Sequence, residues 1–284
     1  MDHKNKKSTT STRRLWRFLV AFFTFLLLFS VGGLGATLWQ AKNEDDDFEK
    51  LAQMVAADES GRIKDSIGGP DKRNTNDEKK GNMTSEEEEQ ESARRQKYAE
   101  LKELNSDFIG WLRIDGTKID YPVMHTPEDS QYYIYRDFYG KKTASGTPFM
   151  GGECTADSDS IIIYGHNMKN GTMFGSLDEY QKEEYWKEHP VIWFDTVEED
   201  RQYEVFSAFT TRLLYEGEEG FQYYGYVGDL TEQQFAEFVQ QAKHSSRYDT
   251  GITPEYGDQL LMLSTCSYHT ENGRFVVIGC RKRK

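Results

Sequence analysis

Residues 259–281 read QLLMLSTCSYHTENGRFVVIGCR. The apolar run Leu260-Leu261-Met262-Leu263 breaks into Ser264-Thr265-Cys266, and Arg274 opens a second run, Phe275-Val276-Val277-Ile278. Two apolar runs of strand length around a short polar segment predict a β-hairpin. Its loop spans 267–273, which sets Cys266 opposite Arg274, on one face if the register holds. A thiol at one strand tip beside a guanidinium at the next is the layout of a cysteine nucleophile with a fixed cation for a developing oxyanion. The plainer reading of Cys266 is a small core residue; that of Arg274 is a surface ion pair.

The same antiparallel register sets Cys280 opposite Leu260, about 20 Å from Cys266 at roughly 3.3 Å per residue. A disulfide tolerates far less. Cys280 is therefore not expected to resolve chemistry at Cys266, and a pairing of Cys280 with Cys154 stays open. With only three cysteines, the chain is not a disulfide-built domain. No cysteine–histidine cluster has zinc-ligand spacing, so neither a metal nor a cofactor is expected.

Working outward, the hairpin belongs to a series of short strands. Trp111–Ile114 and Lys118–Val123 flank the turn Asp115-Gly116, and Thr147–Met150, Ser160–Tyr164, Val191–Asp195 and Arg201–Thr211 follow. Helical patterning covers Ser92–Leu104, with Tyr98, Leu101 and Leu104 on a docking face, and a stretch around Ser176–Glu188. Thr231–Lys243 reads as an amphipathic helix capped by Thr231, with Phe235, Phe238 and Val239 inward. Eight strands with a few inserted helices predict a mainly β fold closed into an eight-stranded barrel.

The 284 residues carry a formal net charge of -13, which argues against nucleic acid as a partner, because phosphate binding needs a basic face. Phe18 to Trp39 contains no charged side chain, and as a helix would span about 33 Å. Basic residues from Lys4 to Arg17 precede it and acidic residues from Glu44 to Asp47 follow it. The positive-inside rule then keeps residues 1–17 cytoplasmic, makes 18–39 an uncleaved transmembrane signal-anchor, and puts the rest outside. Residues 40–91 are polar and lack hydrophobic periodicity, which suits a solvated stalk before a catalytic domain at 92–284.

A thiol nucleophile needs a proton shuttle. His166 ends the apolar run Ile161-Ile162-Ile163-Tyr164 and follows Gly165, so it emerges at a rim as Cys266 does. His269, in the hairpin loop, is the rival. His189 and His244 lie in charged surroundings and are expected to be solvated, and His125 reads as structural or solvent-facing. Three functions fit: a cysteine transpeptidase, a wall-directed cysteine hydrolase, and a tethered binding domain that uses its tyrosines to hold a ligand such as haem.

Leu263-Ser264-Thr265-Cys266 with Asn272-Gly273-Arg274-Phe275-Val276-Val277 resembles the signature of the sortases of Gram-positive bacteria. Tyr164-Gly165-His166-Asn167-Met168 with Asn170-Gly171-Thr172-Met173-Phe174 is similar to the histidine region of their class B branch. Asp120-Tyr121-Pro122-Val123 and Asp129-Ser130-Gln131-Tyr132-Tyr133-Ile134 match class B patterns as well. Met262 stands where the family usually has Thr, and Ser130 where some members have Asn.

The resemblance covers about residues 95–284. It implies an eight-stranded barrel in which Cys266 is the nucleophile, His166 the general acid/base, and Arg274 the oxyanion and substrate clamp. Cys266 would attack the carbonyl of Thr in a pentapeptide sorting signal lying near Ser130, Ile134 and Ser264 and against the segment preceding the Thr231 helix. An amine of a peptidoglycan precursor, a wall peptide or another protein would then resolve the thioacyl-enzyme. The implied partners are secreted proteins bearing a sorting signal, the wall amine and the cell membrane.

Overall fold

Eight strands close on themselves in the order β1-β2-β3-β4-β7-β8-β6-β5. They are β1 (Phe108–Arg113), β2 (Asp120–Met124), β3 (Phe149–Met150), β4 (Ser160–Tyr164), β5 (Val191–Thr196), β6 (Gln202–Arg212), β7 (Gln259–Cys266) and β8 (Gly273–Arg281). The structure is a computed structural model describing residues 16, 19, 22–27, 29–30, 42, 47–55, 85–215 and 217–283. The chain divides into two compact units, Met1–Glu49 and Lys50–Lys284, and the barrel lies in the second. Among the described residues no helix is long and apolar enough to cross a membrane. Most of the span expected at 18–39, and most of the stalk, lie outside the described residues.

Strands β4 and β7 pair in parallel, from Ser160 with Leu260 to Tyr164 with Ser264. The side chains of Ile161, Ile162, Ile163 and Leu260 to Leu263 are almost wholly buried. A strand covered on both faces needs an unbroken apolar run rather than alternation, and both sequences supply one. Met262, the departure from the family pattern, is fully buried opposite Ile162 and contributes packing. Strand β8 pairs with β7 antiparallel, with Cys266 opposite Arg274 and Leu260 opposite Cys280, which is the register the hairpin predicts.

Among the described residues, helices α1 (Ser85–Leu104), α2 (Glu183–Glu188) and α3 (Glu232–Ser245) lie in the unit of the barrel, and residues 47–55 are helical too, with Leu51 and Val55 buried where a solvated stalk is expected. Helix α1 starts seven residues before the expected Ser92, drawn out over the acidic run at 86–89. Tyr98 and Leu101 are buried as expected, but Leu104, the last residue of the helix, is 58 % exposed. The stretch expected to be one helix at 176–188 is a 3-10 turn, Leu177–Gln181, followed by α2, with extended Lys182 between them. Helix α3 begins with a capping box: the Thr231 side chain accepts from Gln234 N while the Gln234 side chain accepts from Thr231 N. Its buried residues Phe235, Phe238, Val239 and Ala242 face inward. Burial of each large side chain stabilises the fold by about 1.5–3 kcal/mol.

The topology sorts the cysteines. All three are free, with Cys266 exposed and Cys154 and Cys280 buried. Burial pushes the Cys154 thiol up to about 11 and, with Asp258 close by, the Cys280 thiol up to about 12, from an ordinary 9.0. At about pH 8 the folded chain should titrate one thiol with a disulfide reagent, and all three after denaturation; more than one in the folded state would contradict this placement. Above about pH 9 the unfolded chain releases these protons while the folded chain keeps them. The unfolded state then binds fewer protons, so stability should fall as pH rises toward 11, read as a lower urea midpoint.

Candidate active site

The β4–β7 pair ends at one rim of the barrel, and both catalytic candidates lie just past that end. Cys266 is the last residue of β7 and its exposed one, after seven buried positions. On one side it pairs with Arg274 of β8. On the other, β4 ends at Tyr164 and the chain continues through Gly165 to His166. Gly165 must lack a side chain there: a Cβ would meet the Phe174 ring at 2.8 Å. That contact and the bond from Phe174 N to His166 O, 2.9 Å, fold the following loop back against the strand end.

Cys266, His166 and Arg274 line one groove of about 710 Å³. Tyr164, Ser264 and Thr265 from the strand ends line it as well, with Ser130, Gln131, Ile134 and Gly151 to Glu153 from the segments around β3 and Leu213, Leu214 and Tyr224 from the segment after β6. All six residues expected to act or to bind substrate (Cys266, His166, Arg274, Ser130, Ile134 and Ser264) therefore border a single cavity.

Ile134 has a second part that its sequence does not announce. Its backbone carbonyl lies 2.7 Å from His166 Nε2. A carbonyl oxygen only accepts, so Nε2–H donates to it, and Nδ1 is left as the nitrogen free to exchange a proton. The Tyr135 ring lies 5.2 Å from the imidazole, tilted by 32°. Backbone and aromatic neighbour together fix the ring orientation and the tautomer.

Arg274 uses Nη1 to donate to its own strand start, to Gly273 O at 2.9 Å and Asn272 O at 3.3 Å. Asn272 takes a positive φ of 54°, which asparagine tolerates, and this turns its carbonyl toward the guanidinium. Nε and Nη2 remain as donors for a groove ligand. Buried Tyr223 OH and Ser264 Oγ share a hydrogen bond of 2.9 Å. Burial raises the Tyr223 phenol to about 12, against the pull of that bond and of Arg274. Burial likewise holds the Tyr164 phenol above its ordinary range, so both stay neutral and offer hydroxyl groups rather than charge.

The other histidines fall away from the groove. His269 is exposed in the hairpin loop, where Nδ1 meets Ser267 Oγ at 2.9 Å. His244 is exposed. His189 is not solvated as expected: it is half-buried against Tyr185, with Nδ1 2.8 Å from Asp115 O, because the turn after β1 folds over the end of α2. His125 is half-buried, and burial together with Lys102 lowers its pKa. Leu213, Leu214 and Tyr224 belong to the segment before α3 that the resemblance sets against the peptide, although it names none of them, and sequence reasoning missed the anchoring role of Ile134. Among the described residues no group of three or more His, Cys, Asp and Glu side chains could hold a metal ion.

Comparison with known proteins agrees with this geometry. Residues 112–282 match the sortase domain family. Sortase B of Listeria monocytogenes is 30% identical over 189 residues, spanning 65% of this chain and 74% of that protein. The crystal structure of sortase B from Bacillus anthracis in complex with AAEK2 is 32% identical, with a TM-score of 0.56 over 66% of this chain and 84% of that one. The Staphylococcus aureus sortase B–substrate complex superposes with a TM-score of 0.66 over 86% of this chain and 99% of that one; at 24% identity it speaks to the fold alone. The family match over most of the barrel and the class B relatives together show that the chain belongs to the sortase family as a class B sortase, a cysteine transpeptidase.

Proposed function

We propose that this transpeptidase cleaves the sorting signal of secreted proteins after a threonine and passes the acyl group to a cell-wall or protein amine. In this reading residues 18–39 anchor the chain in the cell membrane, with 1–17 cytoplasmic and the catalytic domain at 92–284 outside, carried on a polar stalk at 40–91. The observation that carries it is the single groove bordered by Cys266, His166, Arg274, Ser130, Ile134 and Ser264.

The chemistry follows from the groups present. The Cys266 thiolate attacks the threonine carbonyl to give a tetrahedral oxyanion, which the free donors of Arg274 hold by charge-assisted hydrogen bonds. His166, fixed through Nε2, delivers a proton from Nδ1 to the departing amine as the intermediate collapses to a thioacyl-enzyme. The neutral imidazole then takes a proton from the incoming amine, whose attack releases the thiolate and forms the new amide. Ser130, Ile134 and Ser264 line the run of the peptide, with the neutral hydroxyl of Ser264 braced by Tyr223. A tether at the membrane surface suits substrates that are themselves arrested there.

Incubating the full chain in detergent with a sorting-signal peptide library should give a thioacyl adduct on Cys266 by mass spectrometry. Adding an amine acceptor should shift product from hydrolysed peptide to ligated peptide. Hydrolysis alone, whatever the acceptor, would instead assign a wall-directed hydrolase. Cys266→Ala should give no adduct, and Arg274→Ala should lower kcat by about 10²–10³-fold. His166→Ala should abolish turnover while His269→Ala leaves it intact; the reverse result would overturn the assignment. On intact cells a membrane-impermeant thiol reagent should label Cys266, and labelling confined to lysed cells would reject the outward topology.

A further inference from the structure

The backbone ladder between β4 and β7 ends at the groove, before it reaches His166 and Cys266. Its last paired residues are Tyr164 and Ser264. One further backbone bond, Gly165 N to Ser264 O at 3.2 Å, follows. Side chains then continue the ladder. Thr265 Oγ1 donates to Gly165 O at 2.7 Å, and Asn167 Nδ2 donates to Cys266 O at 2.9 Å. The first bond runs from β7 to the β4 extension and the second runs back, as alternate rungs would.

Asn167 is itself held on three sides. Its Nδ2 also donates to Asp178 Oδ2 at 2.8 Å. Both partners of this nitrogen only accept, so the amide orientation is fixed and both its protons are used. The Asn167 backbone bridges to Met173, and its carbonyl accepts from Tyr268 OH at 3.2 Å. Asp178 lies on the 3-10 turn Leu177–Gln181, which is pinned by the fully buried Leu177 and Tyr180. A rigid turn thus holds a carboxylate, the carboxylate holds an amide, and the amide holds the peptide carbonyl of the exposed cysteine.

We propose that Asn167, fastened by Asp178, is a positioning residue that fixes the backbone from which the Cys266 thiol projects. It sits next to His166 in the chain, so one side chain ties the histidine segment to the cysteine strand. Strand β8 holds Cys266 from its other side by backbone pairing, and the Asn167 amide holds it from the β4 side. Releasing that carbonyl lets the last peptide unit of β7 turn and carries the thiol off its line to His166. A displacement of about 1 Å in a reacting group slows chemistry by roughly 10²-fold. The inference rests on Cys266 being the nucleophile.

The test is a charge swap in the full chain. Asn167→Asp removes the donor to Cys266 O and sets two carboxylates face to face, so it should lower both stability and reactivity. Adding Asp178→Asn restores a donor–acceptor pair between positions 167 and 178, yet leaves no donor for Cys266 O. The double variant should recover the thermal midpoint, while alkylation of Cys266 by iodoacetamide and thioacyl formation stay about 10- to 100-fold slow per folded molecule, with KM unchanged. Asn167→Ala adds no charge and should show the same slowing even if the swap does not fold. Recovery of both rates with stability in the swap, or a wild-type rate in Asn167→Ala, would overturn the proposal. Iodoacetamide reads the thiol without any peptide, so a chain that formed no thioacyl adduct would fail the peptide-transfer reading and still decide this one.

Discussion

Everything functional in this protein hangs from the parallel pairing of β4 with β7. Two strands far apart in sequence lie side by side with both faces buried, and they end at the same rim. Burial of isoleucine and leucine side chains keeps both runs inside, and bonds at the two ends hold the register: Ser160 N to Gly228 O fastens the start of β4, and Thr265 Oγ1 to Gly165 O ties its end to β7. With the register fixed, the residues that follow each strand have little choice of position. Gly165–His166 on one side and Cys266 on the other emerge together, and the antiparallel partner β8 brings Arg274 beside the thiol. A hydrophobic constraint thus places three polar groups.

The rim itself is held by different means. Past the last backbone rung Phe174 still packs on Gly165, but the groups that act have to face solvent to meet a peptide. Polar fastenings take over: the Ile134 carbonyl on the imidazole, the Asn272 and Gly273 carbonyls on the guanidinium, and the Asn167 amide on the Cys266 carbonyl. Each leaves part of its residue free. Nδ1 of His166, Nε and Nη2 of Arg274 and the thiol are the unspent groups, and they are the ones that peptide transfer requires. The contrast among the cysteines makes the same point. Cys154 and Cys280 sit under the surface as protonated thiols, while Cys266 alone stands at an exposed strand end.

The sequence by itself determined the strands, the Cys266–Arg274 juxtaposition and the candidate histidine. Unbroken apolar runs that end in a polar residue mark buried strands with exposed tips, and a short hairpin leaves one register. The helix α3 was legible from its amphipathic spacing of Phe235, Phe238 and Val239 and from Thr231 at its start, while the part of Gln234 in the cap appeared only in the structure. His166 could be preferred over His269 by its strand and by family resemblance, but spacing alone left both open. Only the tertiary structure decided between their surroundings, since His166 meets the Ile134 carbonyl across 32 residues of chain. The residues by which the segment before α3 reaches the groove, the exposure of Leu104, the partner of His189 and the link from Asp178 through Asn167 to Cys266 were equally hidden. These depend on where loops return after long excursions, and a loop carries no periodicity from which its destination can be read. Patterned burial is written locally in the chain, whereas polar contacts between distant loops exist only once the barrel has closed.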